Sequence, residues 1–189
     1  MPVAPVPVLT GRQVLLRPVA GADAGRLRAI RAHPAVHRWW GDAEPAFPGE
    51  DDSCLRWAVV VGDRVAGGDR VVGMVQACEE ADPDYRHAGI DVFLDPEVHG
   101  RGLGRDTVAT VARWLVEGRG HHRLVVDPAA ANARAIACYA AVGFRRVGVL
   151  RRYERDAAGG GFRDGLLMEA LAEDLVPEPF AEPAPPGPA

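Results

Sequence analysis

The sequence predicts an α+β fold, a single domain built on a mixed, mostly antiparallel central sheet with flanking helices. Three observations carry this expectation. Two β-rich runs, residues 56–61 (RWAVVV) and 70–78 (RVVGMVQAC), are separated by Gly-Asp and Gly-Gly-Asp turn chemistry that suits an antiparallel hairpin. A strand-like run from Gly89 to Leu94, a glycine-rich turn opening a helix, and a second strand-like run at 122–127 (HRLVVD) make a βαβ unit, whose crossover leaves its two strands parallel. Finally, 189 residues at 48% hydrophobic and 25% charged can bury a full core without disulfide or metal staples.

The elements follow in order. Residues 13–17 (QVLLR) read as a first strand, and Gly21 to His33 as an amphipathic helix with Leu27 and Ile30 on one face, stopped by Pro34. A short helix carries Trp39 and Trp40. The hairpin strands and the strand at Gly89–Leu94 come next. The helix opened by the glycine turn places Leu103, Val108, Val111 and Leu115 at helical spacing, and Gly118 and Gly120 end it. A further helix runs from Asn132 to Val142, ended by Gly143, and strands at 144–150 and 162–170 close the domain. The domain therefore spans 12–175, after a flexible N-terminal segment over 1–11 and before a disordered Pro-rich tail over 176–189, whose prolines break ladder and helix hydrogen bonding.

Charge and cysteine content exclude several classes. All 22 basic residues are Arg, and 26 acids leave a net charge of -4, so the chain lacks the basic excess that phosphate neutralisation needs and no nucleic-acid partner is expected. No apolar run approaches the roughly 20 residues of a membrane span, and the Pro-broken N-terminus is no signal peptide, so a cytoplasmic protein without membrane contact is expected. Cys54, Cys78 and Cys138 form no C-x-x-C and read as reduced thiols. No metal is expected. Pro34 breaks the helix between His33 and His37, and His121 and His122 point to opposite faces of a strand.

The turn H-G-R-G-L-G, His99 to Gly104, carries the chemistry. Glycines at 100, 102 and 104 let successive backbone N–H groups converge on an anion, and the helix N-terminus adds partial positive charge, so a pyrophosphate is the natural ligand. A Rossmann site is the rival, with Asp127 at the ribose-binding position. Against it stand the late position of the unit, the antiparallel strands before it and the lack of a second βαβ half. The following helix, N-A-R-A-I-A-C-Y-A-A-V-G-F from Asn132 to Phe144, aligns Asn132, Ala135 and Tyr139 on one face. Together these two motifs resemble the GCN5-related N-acetyltransferase (GNAT) superfamily.

That resemblance implies a single acetyltransferase domain that uses acetyl-CoA as co-substrate, bound where the parallel strands 89–94 and 122–127 splay apart. It implies contacts to the co-substrate from Phe93, Leu94, His99, Gly100, Arg101, Gly102, Leu103, Gly104, Arg105, Asn132 and Ala135. His99 departs from the usual Gln or Arg, leaving the pyrophosphate to the backbone N–H groups of the turn. The backbone near Phe93 would support the developing oxyanion. Tyr139 would be the general acid for the departing thiolate. Read alone, Tyr139 would be a core aromatic and Asn132 a helix cap.

For the acceptor, Trp39-Trp40-Gly41, Glu79-Glu80 with Asp82-Pro83, Gly89-Ile90-Asp91 and Asp127-Pro128 are similar, in order and spacing, to aminoglycoside 6'-acetyltransferases, and hence to an antibiotic-resistance role. The similarity implies that Asp91 and Asp127 hold and deprotonate an amine of a small polycation, with Trp39, Trp40, Glu79, Glu80 and Asp82 as further contacts. By strand alternation Asp91 shares a face with Phe93 and is the first choice for general base, Asp127 the second. Two alternatives stand beside this: a GNAT acting on a siderophore lysine or a protein N-terminus, and a non-catalytic acyl-CoA-binding module. The quaternary expectation is a monomer or homodimer.

Overall fold

The computed structural model describes residues 6–49, 54–63, 68–80, 82–157 and 159–176. Residues 177–189 of the expected tail and 1–5 of the expected flexible segment lie outside them. The elements are β1 (Leu9–Thr10), β2 (Leu15–Pro18), α1 (Ala24–Ala32), α2 (Pro34–Trp40), β3 (Cys54–Asp63), β4 (Gly68–Glu80), β5 (His87–Leu94), α3 (Leu103–Glu117), β6 (Arg123–Val126), α4 (Ala133–Val142), β7 (Arg145–Arg155) and β8 (Phe162–Leu171). Among the described residues the strands form one sheet in the order β1-β2-β3-β4-β5-β6-β8-β7, in which only β5 and β6 pair in parallel. The expected α+β class and mixed sheet are therefore found. Part of the segment expected to be flexible is not: Leu9 and Thr10 pair with Leu16 and Leu15.

Strand alternation sorts the sheet into two faces. Ala77, Ala88, Ile90 and Leu124 face a core completed by Val108, Val111 and Leu115 of α3 and Ile136, Tyr139 and Val142 of α4. Met74 and Phe93 face the other way, onto Leu27 and Ile30 of α1, Val36 of α2 and Phe47. Trp57 is fully buried in the first core, and its indole N–H donates to the Pro7 carbonyl at 2.7 Å, which ties the start of the chain to the sheet. Among the described residues no helix is long and apolar enough to cross a membrane.

The parallel pairing is short. It joins Ala88 with Leu124 and Gly89 with Val125, and no register pair joins the rest of β5 to β6. On the other edge, β5 stays paired with β4 along its whole length, from Glu80↔His87 to Gly73↔Leu94. The two strands thus splay beyond Gly89, as the resemblance to the GNAT superfamily implies.

The reduced-thiol expectation fails for two of the three cysteines. Cys54 and Cys78 are directly opposite on β3 and β4, with Cα atoms 4.3 Å apart, and are disulfide-bonded. Only the hairpin register brings them together, and a separation of 24 residues in sequence conceals it. Cys138 is free, and burial pushes its thiol up to about 11, which suits a packed side chain rather than a nucleophile. By loop-closure entropy, closing a loop of 24 residues is worth at most about 3.5 kcal/mol. A Cys54→Ser/Cys78→Ser variant is expected to lose up to that amount of unfolding free energy in urea, with a lower midpoint, and the parent under strong reductant to match it.

Candidate functional site

The glycine turn sits where β5 hands over to α3. Asp95 caps a short turn at Pro96–Val98 by accepting the Glu97 N–H at 3.0 Å, and it is clamped by ion pairs to Arg26 and Arg70. The chain then enters the turn with Gly100 at φ 77° and Gly102 at φ 80°, left-handed conformations that only glycine adopts without strain. Gly102 is the N-cap of α3, and the first intrahelical bond runs from the Asp106 N–H to the Gly102 carbonyl. The N–H groups of Leu103 and Gly104 precede that bond and lie in the first turn of the helix, where an anion is favoured.

A cavity of about 650 Å³ opens between this turn, the splayed end of β5, α2 and α4. Of the residues expected to meet the co-substrate, Phe93, Leu94, His99, Gly100, Gly102, Leu103, Gly104, Arg105, Asn132 and Ala135 line it, together with Tyr139, Trp39 and Trp40. Arg101 is exposed and does not. A volume of this size, with backbone donors at one end and mostly apolar walls, fits a phosphate-bearing, thioester-bearing molecule such as acetyl-CoA. Asn132 lines the cavity while its Oδ1 accepts the Ala135 N–H at 3.2 Å, so it is a helix cap and a wall residue at once.

His99 does more than line the wall. Arg134 donates to its Nδ1, which leaves the ring proton on Nε2, 3.1 Å from the Leu94 carbonyl that it donates to. Burial pushes His99 below the usual histidine range and the Arg134 charge adds to that, although the Leu94 carbonyl opposes it, so the ring is neutral at pH 7. Arg134, a cavity residue absent from the sequence reading, joins Arg105 as a cation beside the turn. Its only signal was its place in the first turn of α4.

Tyr139 is 6% exposed and stacks edge-on against Phe144. Burial, then the charge of Asp91, push its hydroxyl well above the usual phenol range, so it keeps its proton at neutral pH. Asp91 projects from the face that carries Phe93 and accepts from Gln76 Nε2 at 3.1 Å, across the register pair Gln76↔Asp91. Burial pushes its carboxyl up; the Gln76 amide opposes this, and the charges of Asp127 and Glu154 add to it. Asp91, Asp127 and Glu154 therefore share one field.

Asp127 follows β6 and accepts a hydrogen bond from the Tyr153 hydroxyl; that bond, then burial and the Asp127 charge, raise the hydroxyl to about 12. Tyr153 reaches it because β7 is irregular between Leu150 and Glu154, where Arg152 takes φ 49° and donates its N–H to Asp164. The Tyr153 ring lies over Gly165, where an added Cβ would come within 2.8 Å of it. Glu154 is held by Arg163, whose guanidinium also donates to the carbonyls of Arg38 and Trp39 at the end of α2. Trp39 lies between the guanidinium groups of Arg38 and Arg163, 4.5 and 5.5 Å from its ring. Tyr153, Glu154 and Gln76 were missed by sequence reading, the first two because the expected strand stopped at residue 150.

The acidic run before β5 does not join this group as a unit. Glu79 falls on the opposite face of β4 from Gln76, where Arg119 grips it with bonds of 3.0 and 2.8 Å and buried His121 bonds it at 2.6 Å. The Arg119 bond holds its carboxyl below the usual range. The expectation that Glu79 meets the acceptor is thus corrected by alternation: it is a strut between β4 and the end of α3. Glu80 and Asp82 accept the N–H groups of Asp82 and Asp84, which makes them turn caps at the exposed tip.

Residues 27–144 match the model of the acetyltransferase (GNAT) family. Over 73 residues the chain is 37% identical to aminoglycoside N(6')-acetyltransferase type 1 of Klebsiella pneumoniae, a stretch that spans 38% of this chain and about a third, 35%, of that protein's length. The RimJ structure of Mycobacterium smegmatis, in complex with CoA-disulfide, superposes with a TM-score of 0.69 at 25% identity, covering 92% of this chain and 88% of that one. The structure of AAC(6')-Ib in complex with paromomycin and acetyl-CoA superposes with a TM-score of 0.67 at 22% identity, covering 86% and 95%.

Proposed function

Since the chain belongs to the acetyltransferase (GNAT) family, we propose that it transfers the acetyl group of acetyl-CoA to a primary amine of a small polycation, foremost the 6'-amino group of an aminoglycoside. The observation that carries this reading is the carboxylate group Asp91, Asp127 and Glu154, whose charges act on one another where β5 and β6 have parted. An acidic mouth concentrates a polyammonium ligand and holds its amine toward the cavity. The 37% identity to an aminoglycoside acetyltransferase over part of the chain supports the same acceptor.

When bound, the co-substrate supplies an activated acyl carbonyl; the chain supplies everything around it. The N–H groups of Leu103 and Gly104, with Arg134, hold the phosphates. A backbone N–H near Phe93, on the side of β5 that faces away from β4, supports the carbonyl oxygen as charge builds there. Asp91, kept from full solvation, takes the proton that the attacking amine must lose, and Asp127 orients that amine. Tyr139, still protonated, returns a proton to the leaving sulfur.

A peptide N-terminus is the second reading; the ribosomal-protein-S5-alanine acetyltransferase of Vibrio fischeri shares this fold over 90% of the present chain. A thiol-release assay separates the two. With acetyl-CoA, kanamycin-type and gentamicin-type aminoglycosides are expected to turn over, and lysine derivatives and N-terminal peptides at least about tenfold less well. Turnover with peptides alone would sink the aminoglycoside reading.

A further inference from the structure

The cavity has two unlike ends. At the glycine turn it is polar, with backbone donors and Arg134; at the other end it is walled by Trp40, Phe93 and Tyr139. Trp40 meets Phe93 edge-on, ring centroids 5.1 Å apart at 75°, and Phe47 backs Phe93 at 6.2 Å. Behind this wall lies a cation that the reaction itself does not use. Arg31 is 7% exposed, with its guanidinium 5.5 Å from the Trp40 ring and 4.8 Å from that of Phe47. Its Nη2 donates to the Trp40 carbonyl at 3.1 Å and the Asp42 carbonyl at 3.0 Å, while Nε has no partner.

An unused guanidinium buried at this cost demands a reason, because Arg stays charged even where burial pushes its pKa down. What it holds is the end of α2 and the segment after it: the carbonyls of Trp40 and Asp42, the rings of Trp40 and Phe47, and the exposed Glu44 carboxylate at 3.7 Å, so Trp40 is fixed through both its carbonyl and its ring. We propose that Trp40, fixed by Arg31, closes the acyl end of the cavity and restricts the donor to a two-carbon acyl group. Trp40 is the specificity determinant and Arg31 a positioning residue. The inference rests on reading the cavity as the acyl-CoA site. A longer acyl chain must push Trp40 off Phe93 and strain Arg31's two hydrogen bonds, the overpacking that close-packed walls resist.

Calorimetric titration of the full chain with CoA, acetyl-CoA and butyryl-CoA tests this without knowledge of the acceptor. The parent is expected to bind acetyl-CoA about as well as CoA, and butyryl-CoA at least about tenfold more weakly. Trp40→Ala is expected to narrow that gap to about twofold or less, Arg31→Gln to narrow it in the same direction, and Trp40→Phe to preserve most of it. Should Arg31→Gln fail to fold, Trp40→Ala and Trp40→Phe carry the test. Equal binding of acetyl-CoA and butyryl-CoA by the parent overturns the inference, as does an unchanged gap in Trp40→Ala. Failure to bind CoA itself overturns the reading of the cavity, a different result from either.

Discussion

An Asp91→Asn variant is expected to lose about a hundredfold or more in kcat/KM toward its amine acceptor while melting no lower than the parent. The two halves come from one fact. Burial, with Asp127 and Glu154 adding to it, raises the Asp91 carboxyl above its ordinary value of 3.8. A raised carboxyl means that the folded chain binds this proton more tightly than the unfolded chain does, so the stabilising share is fully present below pH 3.8 and is lost as pH rises through the folded value. At neutral pH the ionised Asp91 is therefore a stability cost, and an amide of the same shape, which can still accept from Gln76, removes it. The same amide cannot take a proton, and general-base assistance is worth about 10² to 10⁴ in rate.

The pH profile sharpens the test. The parent's kcat/KM should fall on the acid side at a pH above the usual carboxylate range, where Asp91 takes its proton, and Asp91→Asn should lack that limb. Asp127→Asn should weaken acceptor binding, read in KM, more than turnover. A variant at 91 with near-parental activity, or one that retains the acid limb, would move the base to a water chain or to Asp127.

Features carried by local spacing were legible in the sequence. The glycine turn needs only contiguous residues, and Asn132, Ala135 and Tyr139 need only helical periodicity, and all of them line one cavity. Asp91 was legible because alternation relates it to Phe93 two residues away. Alternation also turns Glu79 away from Gln76 and Asp91, and it was overlooked there because a run of acids was read as one surface. What depends on pairing between distant segments was not legible. Cys54 and Cys78 meet through register. Tyr153 meets Asp127 through an irregularity of β7 and the bare surface of Gly165, neither of which leaves a compositional trace. Arg31 was invisible for another reason: on a helix an Arg reads as solvent-facing, and only tertiary packing puts two aromatic rings over it.

The second large effect is structural and comes from the same kind of distant meeting. Asp106, in the first turn of α3, is 6% exposed, and its carboxylate accepts three backbone N–H groups from the turn between β1 and β2: Arg12 at 3.0 Å, Gln13 at 2.7 Å and Val14 at 3.1 Å. A carboxylate near a helix N-terminus is favoured by the helix dipole, and charge-assisted bonds are the strong ones. The turn packs closely on α3: an added Cβ at Gly11 would lie 2.7 Å from Thr110 Oγ1 and 2.8 Å from Asp106 Oδ2. Asp106→Ala strips the partner from all three donors, beside Val14 and Leu16, which are 3% and 0% exposed. Counting each lost bond at 1 to 3 kcal/mol and allowing for water reaching Arg12 and Gln13, the expected loss is about 3 to 5 kcal/mol, a large share of the roughly 5 to 15 that a domain has. For a domain of this length that is on the order of 10 °C in Tm. Asp106→Asn keeps one acceptor oxygen but turns an NH2 toward N–H donors, so it should recover only part of the loss. Because β1 and β2 hold α3 by this carboxylate, CoA affinity measured well below the lowered Tm should fall less than stability does. A change under about 1 kcal/mol in the urea unfolding free energy of Asp106→Ala would show that solvent satisfies the turn without it.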